Sequence, residues 1–460
     1  MFGVKVLLLL LSIYVRSTLS RDIDYCYAQN DQPYLKFGTK TAYHFVHGGK
    51  TRYQIIPNCN PVQIWMLMKH GTRYPGKDKI PQMMALSKLR DQIIYNSEAR
   101  GHGHLCEADL ENLKQWRLDS GLRPDTAEDL TEQGAEDLNL LARRTKTNFP
   151  ELFPPVVAGT SSRNYVFRSA DGDRSSTSLT SFMSGLFDRS EIPSVQDSTN
   201  DTLFAGSYRS CPKWENEVAN NTDALKEVTS FAEGPEYQNL IVNVSRRLGF
   251  LYNLTKASVD IMYDMCRYDK AWKVSTVSPW CAVFNDEELK VQEYREDLED
   301  YYKRGYGHEL NRQLGCPLMQ DMFRHFQKLE GDNYSDEPKG VFYVARSGNL
   351  ELFLSAMGFA EDTTPLLASN FRSMIKRQWK TSEIASFAGN IEAVFYKCQN
   401  SRSPNKVVFY LTEKPVLYPG CDVGLCDWEF LKSKYQKVAS DCSLGFCYPS
   451  GAISFFVSPA

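Results

Sequence analysis

Positive charge in excess, long apolar runs and histidine are all scarce in this sequence. Lys and Arg total 53 against 56 Asp and Glu, for a net charge of −3. A nucleic-acid binder normally carries a basic excess, so no nucleic-acid partner is expected and any anion site must be local. The one extended apolar run, residues 6–15 (VLLLLLSIYV), is ten residues long, whereas a helix needs about 20 to span a bilayer. Lys5 precedes the run and the small residues Thr18 and Ser20 follow it, so residues 1–20 read as a cleaved export signal, the alternative being a retained anchor. No Gly-rich nucleotide loop and no G-x-S-x-G elbow occurs, which leaves kinase-like and serine-hydrolase readings without support. The seven histidines end at His325, so no imidazole serves any motif beyond that point.

Cysteine, by contrast, is plentiful. All 12 fall after Ser20, too widely scattered for a zinc module with its tight ligand pairs. They read as disulfides, and the close sets Cys421/Cys426 and Cys442/Cys447 point to a stapled C-terminal segment. The stretch "GHGHLC" (101–106) offers His102, His104 and Cys106 as metal ligands, but a disulfide at Cys106 in a mobile loop is the preferred reading, and no metal or other cofactor is expected. Five N-x-S/T sites, at Asn200, Asn220, Asn243, Asn253 and Asn333, fit passage through the secretory pathway. The last four residues, Val457-Ser458-Pro459-Ala460, carry neither a retrieval signal nor an apolar tail, so secretion without a stable membrane span is expected.

A chain of 460 residues exceeds the size at which one core keeps growing. The run at 63–68 (QIWMLM) ends abruptly at His70-Gly71 and reads as a buried strand feeding a loop; 341–345 (VFYVA) is a second strand, leading into a helix over 349–357. Residues 156–159 offer a third strand, and 393–396 with 407–411, around the turn-rich "QNSRSPN", a hairpin. Leu130, Gly134, Leu138 and Leu141 share one helical face. The stretch from 214 to 305 is charged and poor in strand signals, so an α/β core interrupted by a mainly helical insertion is expected.

The segment "KHGTRYP" (69–75) places an imidazole and a guanidinium on one turn after a strand, the parts phosphoryl transfer wants: a nucleophilic nitrogen, and fixed positive charge for the non-bridging oxygens. On local pattern alone a structural histidine at a strand end is an equal reading. Gly71 is expected to allow close backbone approach to a ligand. The segment is similar to the R-H-G-x-R-x-P signature of the histidine acid phosphatases. Along most of the chain, "FGTKTAY" (37–43), "LTEQG" (130–134), "GPEYQN" (234–239), "SPWCAVF" (278–284), "KRGYG" (303–307) and "LSAMGF" (354–359) resemble, in order, segments of the multiple inositol polyphosphate phosphatase branch. The resemblance implies a histidine-phosphatase-type α/β core over 21–185 and 306–460, with a helical segment at about 105–148 and an α-helical cap over 186–305. It implies His70 as the phosphate-accepting nucleophile, Lys69 and Arg73 as phosphate ligands, and a further clamp at Arg174, with Arg168 as the fallback. The implied ligand is an inositol polyphosphate or a similar phosphomonoester.

Two departures accompany the resemblance. Lys69 stands where the family has arginine, keeping the charge but losing the planar fork. The branch also carries a His-Ala-Glu triplet after the later core strand, its glutamate protonating the departing alcohol. Here that position holds Arg346-Ser347-Gly348, and the only His-Glu pair, His308-Glu309, lies elsewhere. Arg346 joins the expected phosphate ligands. Gly348 supplies no proton, so hydrolysis is expected to be impaired, general acid catalysis being typically worth about 10²- to 10⁴-fold. Glu351, Asp171 and Asp173 are the substitute acids at hand, each read more simply as a solvated surface residue. A fully active phosphatase using one of them, and a non-catalytic polyanion binder, are the two rival readings.

Overall fold

The computed structural model describes residues 25–30, 35–48, 53, 55–154, 164–187, 202–205, 208–331 and 333–448. The expected signal at 1–20, the sequon at Asn200 and the run at 156–159 lie outside the described residues. Strand β1 (Cys59–Lys69) is the spine. From Ile64 to Met68 every side chain is apolar and fully buried, so both faces of the strand are covered. Trp65 and Leu67 enter one core while Ile64, Met66 and Met68 enter another, the period-2 alternation of a pleated strand. Burying a side chain of this size contributes about 1.5–3 kcal/mol.

Strands β2 (Tyr165–Ser169) and β3 (Gly340–Ala345) run parallel to β1, and β4 (Asn390–Cys398) and β5 (Asn405–Leu411) form the expected antiparallel hairpin on its other side. Two short strands, β6 (Lys414–Pro415) and β7 (Leu425–Asp427), complete a sheet ordered β2-β3-β1-β4-β5-β6, with β7 also paired to β5. The sequence reading does not single out β2. Only Tyr165, Phe167 and Ser169 are buried there, and Arg168 breaks its apolar run. Lys69 pairs with Ala345 and Ser169 with Val344, so three parallel strands end on one edge of the sheet.

Helices α1 (Glu132–Asn148) and α2 (Asp173–Leu186) cover one face through Leu138, Leu141, Phe182 and Met183. Thr131 caps α1 by accepting from the Gly134 amide. On the other face lie α3 (Lys256–Trp272), α4 (Asp286–Arg304) and α5 (Ser347–Ala356). A capping box between Asn285 and Glu288 starts α4. The helical layer also draws in residues 86–115, ahead of the expected insertion, with Trp116 meeting Trp280 edge-on at 5.4 Å.

Every cysteine is paired: Cys26–Cys106, Cys59–Cys398, Cys211–Cys447, Cys266–Cys281, Cys316–Cys442 and Cys421–Cys426. The C-terminal segment is thus stapled to two distant segments as well as to itself. Six disulfides mark a protein of an oxidising, non-cytosolic compartment. Among the described residues no helix is long and apolar enough to cross a membrane.

Candidate active site

Parallel strands direct whatever follows them to one edge, the usual ligand edge of an α/β sheet. Here β1 delivers His70 and Arg73, the turn after β2 delivers Arg174 at the start of α2, and β3 delivers Arg346 and Ser347 at the start of α5. These residues meet in a cleft of about 240 Å³. Two helix N-termini at the same edge add the positive end of their dipoles.

His70 is buried, and its amide donates to the Ala345 carbonyl at 3.0 Å, which ties the turn to β3. Its Nδ1 lies 2.9 Å from the Gly71 carbonyl oxygen. A carbonyl only accepts, so Nδ1 carries the hydrogen and the Nε2 lone pair is left for chemistry. Burial, then Arg73 and Lys69, hold the imidazole well below the usual histidine range. It is therefore neutral and nucleophilic in mildly acidic solution as well as at neutrality.

The Nε–H groups of Arg73, Arg174 and Arg346 are buried, and no acceptor among the described residues reaches them. Arg73 Nη1 donates to the Tyr74 carbonyl at 2.6 Å, and Arg346 Nη2 lies 3.4 Å from the Asp171 carbonyl. Arg174 Nη1 donates to Glu128 Oε2 at 2.7 Å, and Glu128 Oε1 stands 4.0 Å from Arg73. Burial disfavours the charge on Glu128, but Arg174 and Arg73 outweigh it and pull the carboxyl below its ordinary range. Burial and Arg73 in turn lower Arg174, and burial and Arg209 lower Arg346. These crowded guanidinium groups are under-neutralised, and a polyanion would relieve them.

Several expected residues lie elsewhere. Lys69 does not line the cleft. Its ammonium donates to the carbonyls of Thr39 and of Ala385, the latter at 3.0 Å, and sits 4.8 Å over the Phe387 ring. A residue at the end of a strand alternates sides with its neighbour, so His70 facing the cleft sends Lys69 into the core, where it braces two loops. Gly71 meets protein, not ligand: a Cβ there would lie 2.5 Å from the Gly134 carbonyl oxygen of α1. Arg168, within β2, does not line the cleft, whereas Arg174 does.

The substitute acids are also placed. Glu351 is fully buried, not solvated, and accepts from Arg304 Nε at 2.6 Å behind the cleft wall. Asp171 and Asp173 are exposed and do not line the cleft. His308 Nδ1 accepts from the Leu310 amide and caps a short helix, away from the site. Cys106 is disulfide-bonded, so the "GHGHLC" stretch offers no thiolate. Its His102 and His104 border a separate surface hollow with Arg246.

The cleft also contains residues that sequence reasoning misses. Lys40, Arg209 and Arg304 add cations, and Glu128, Glu296, Glu299 and Asp300 add carboxylates. Lys40 and Arg304 lie inside "FGTKTAY" and "KRGYG", so the ordered segments mark them without giving a role. Glu128, Tyr208 and Arg209 carry no local signal.

An α/β sheet whose carboxyl edge carries a buried neutral imidazole among guanidinium groups is built as a histidine phosphatase is built. The chain belongs to the histidine phosphatase superfamily (branch 2), whose match spans residues 62–411, and within it to the multiple inositol polyphosphate phosphatases. It is 35% identical over 455 residues to multiple inositol polyphosphate phosphatase 1 of Drosophila melanogaster, covering 97% of this chain and 95% of that protein. To the Homo sapiens protein of the same name it is 31% identical over 453 residues, covering 90% and 88%. In fold it is similar to the phytase from D. castellii, with a TM-score of 0.65 at 18% identity over 89% of this chain and 86% of that one. The Bifidobacterium longum multiple inositol polyphosphate phosphatase, solved with inositol hexasulfate, gives a TM-score of 0.65 at 14% identity over 89% and 98%.

Proposed function

We propose that the protein is a secreted phosphomonoesterase acting through a phosphohistidine on clustered phosphates of the inositol polyphosphate class, slowed on alkoxide leaving groups. The observation that carries this reading is the set of three buried, unpartnered guanidinium Nε–H groups sharing one cleft with a neutral imidazole. His70 Nε2 attacks phosphorus while Arg73, Arg174 and Arg346 hold the non-bridging oxygens, a division of labour suited to a transition state rich in charge. The segment 186–305 serves as the cap, its α4 walling the cleft with Glu296, Glu299, Asp300 and Arg304. The named activity of the relatives supports the substrate class. Slowed turnover follows from Gly348, which brings no carboxylic acid to the leaving oxygen. Secretion is supported by the signal-like N-terminus, the six disulfides and exposed sequon asparagines at Asn220, Asn253 and Asn333, with Asn243 half-buried.

The test compares turnover of an aryl phosphate and of inositol hexakisphosphate by the full chain and by His70→Ala. Aryl leaving groups need little protonation, so the wild type should turn over the aryl ester at least tenfold faster, and His70→Ala should abolish both activities. Turnover that survives in His70→Ala would overturn the phosphohistidine step. Tight phosphate binding without any His70-dependent turnover would make the protein a polyanion binder.

A further inference from the structure

The place left by the missing acid is not empty. A Cβ on Gly348 would lie 2.5 Å from the Tyr208 hydroxyl oxygen, 2.6 Å from its Cζ and 2.7 Å from its Cε1. The phenol end of Tyr208 therefore occupies the space in which a side chain at residue 348 would begin. Tyr208 lines the same cleft as His70, Arg346 and Ser347. The ring is 6% exposed and is held edge-on by Trp214 at 4.9 Å. The Cys211–Cys447 disulfide fixes its chain segment three residues further on.

The cleft's carboxylates are already committed to cations. Glu128 is paired with Arg174, Glu296 with Arg267, Glu299 with Lys303 and Asp300 with Arg304. Glu128, Glu296 and Glu299 are held below the ordinary carboxyl range, burial being outweighed by those partners. Ionised carboxylates accept protons and do not donate them. Three hydroxyls line the cleft: Thr39, Tyr208 and Ser347. A phenol is far more acidic than an aliphatic alcohol. Arg304 and Arg346 line the same cleft as Tyr208, so fixed positive charge stands beside the ring.

We infer that the Tyr208 phenol, seated over Gly348, is the proton donor to the leaving oxygen, replacing a carboxylic acid with a weaker one. This rests on the phosphatase reading above. In the first step the His70 Nε2–P bond forms, the P–O bond to the alcohol breaks, and the phenolic proton moves to that oxygen. In the second, water attacks phosphorus, the His70 Nε2–P bond breaks with its electron pair returning to Nε2, and the water's proton passes to the phenolate, which restores Tyr208 as phosphate leaves. Gly348 and Tyr208 are then one exchange: the larger ring fits only because residue 348 has no side chain.

Tyr208→Phe keeps the ring and removes the acid, and its effect should depend on the leaving group. Expected is a loss of about 10²-fold in kcat on inositol hexakisphosphate, the lower end of general acid catalysis, and of less than tenfold on an aryl phosphate, with Tm little changed. Equal losses on both substrates, or no loss on the inositol ester, would overturn the inference. A second variant pair tests the exchange: Gly348→Glu alone should lose activity by steric conflict, and Gly348→Glu with Tyr208→Ala should recover turnover of the inositol ester above Tyr208→Ala. No recovery would count against a shared place. Absence of His70-dependent aryl phosphatase activity in the wild type would instead defeat the underlying phosphatase reading, so the two failures are distinguishable.

Discussion

On the proposed phosphatase reading, Glu128 sets how freely the arginines of the cleft grip phosphate. Its carboxylate bonds Arg174 and approaches Arg73, so an incoming phosphate competes with it for the same guanidinium groups. The side chain is 47% exposed, and a pair of that kind is worth only about 0.2–1 kcal/mol after solvent screening. Glu128→Gln should therefore tighten inhibition by inorganic phosphate by about 1.4- to fivefold, as measured by Ki on an aryl ester; weaker inhibition would show that the carboxylate orients the arginines instead of obstructing them. The residue adopts a φ of 68°, an uncommon conformation for a glutamate, stored at a turn beside the site. Lys69 marks the same scale from the other side. Chemically it is a conservative replacement for arginine, yet its contacts make it a brace between the loops of Thr39 and Ala385.

At the level of the element, β4 carries an ionisable group into the core beside β1. Glu392 is fully buried, accepts from Tyr53 at 2.9 Å, and has Glu413 nearby, itself bound by Arg144 at 2.7 Å. Burial first, and then Glu413, push the Glu392 carboxyl up to about 8. Between the ordinary glutamate range and that value the folded chain holds this proton more tightly than the unfolded one, so the contribution to stability falls as pH rises through the window. His70, whose folded pKa is depressed, acts in the opposite sense below about pH 6.5, so the decline should be clearest from about pH 6.5 to 8. Thermal unfolding across that range should show a Tm slope against pH that is more negative in the wild type than in Glu392→Gln. Parallel slopes would mean that Glu392 does not carry the proton. Asp137, pushed up to about 7 by burial, adds to the slope in both proteins.

Across the whole molecule, two disulfides link segments that the sheet does not. Cys211–Cys447 ties the turn bearing Tyr208 and Arg209 to the C-terminal segment, and Cys316–Cys442 ties that segment to the helix Cys316–Lys328. A bridge spanning a separation of 236 residues restricts the unfolded chain strongly, typically by about 2–5 kcal/mol. Replacing Cys211 and Cys447 together by serine should lower stability by that order in denaturant titration. Turnover of inositol hexakisphosphate should also fall more than turnover of an aryl phosphate, because Tyr208 loses its seat while β1 keeps His70. Equal falls on the two substrates would show that the bridge supports the fold without positioning the cleft wall.

What could be read from the sequence was what neighbouring residues decide together. The unbroken apolar run of β1, the imidazole and guanidinium on the turn after it, the β4–β5 hairpin and the helical character of 214–305 all follow from periodicity over a few residues, and the ordered segments supplied the family. The inward turn of Lys69, the carboxylate of Glu128 among the arginines and the ring of Tyr208 above Gly348 were decided by tertiary structure alone. Each of these depends on which distant strand end or loop comes to lie beside which. That is set by the parallel order β2-β3-β1, by the pleat and by the disulfides, so no local pattern of residue types records it.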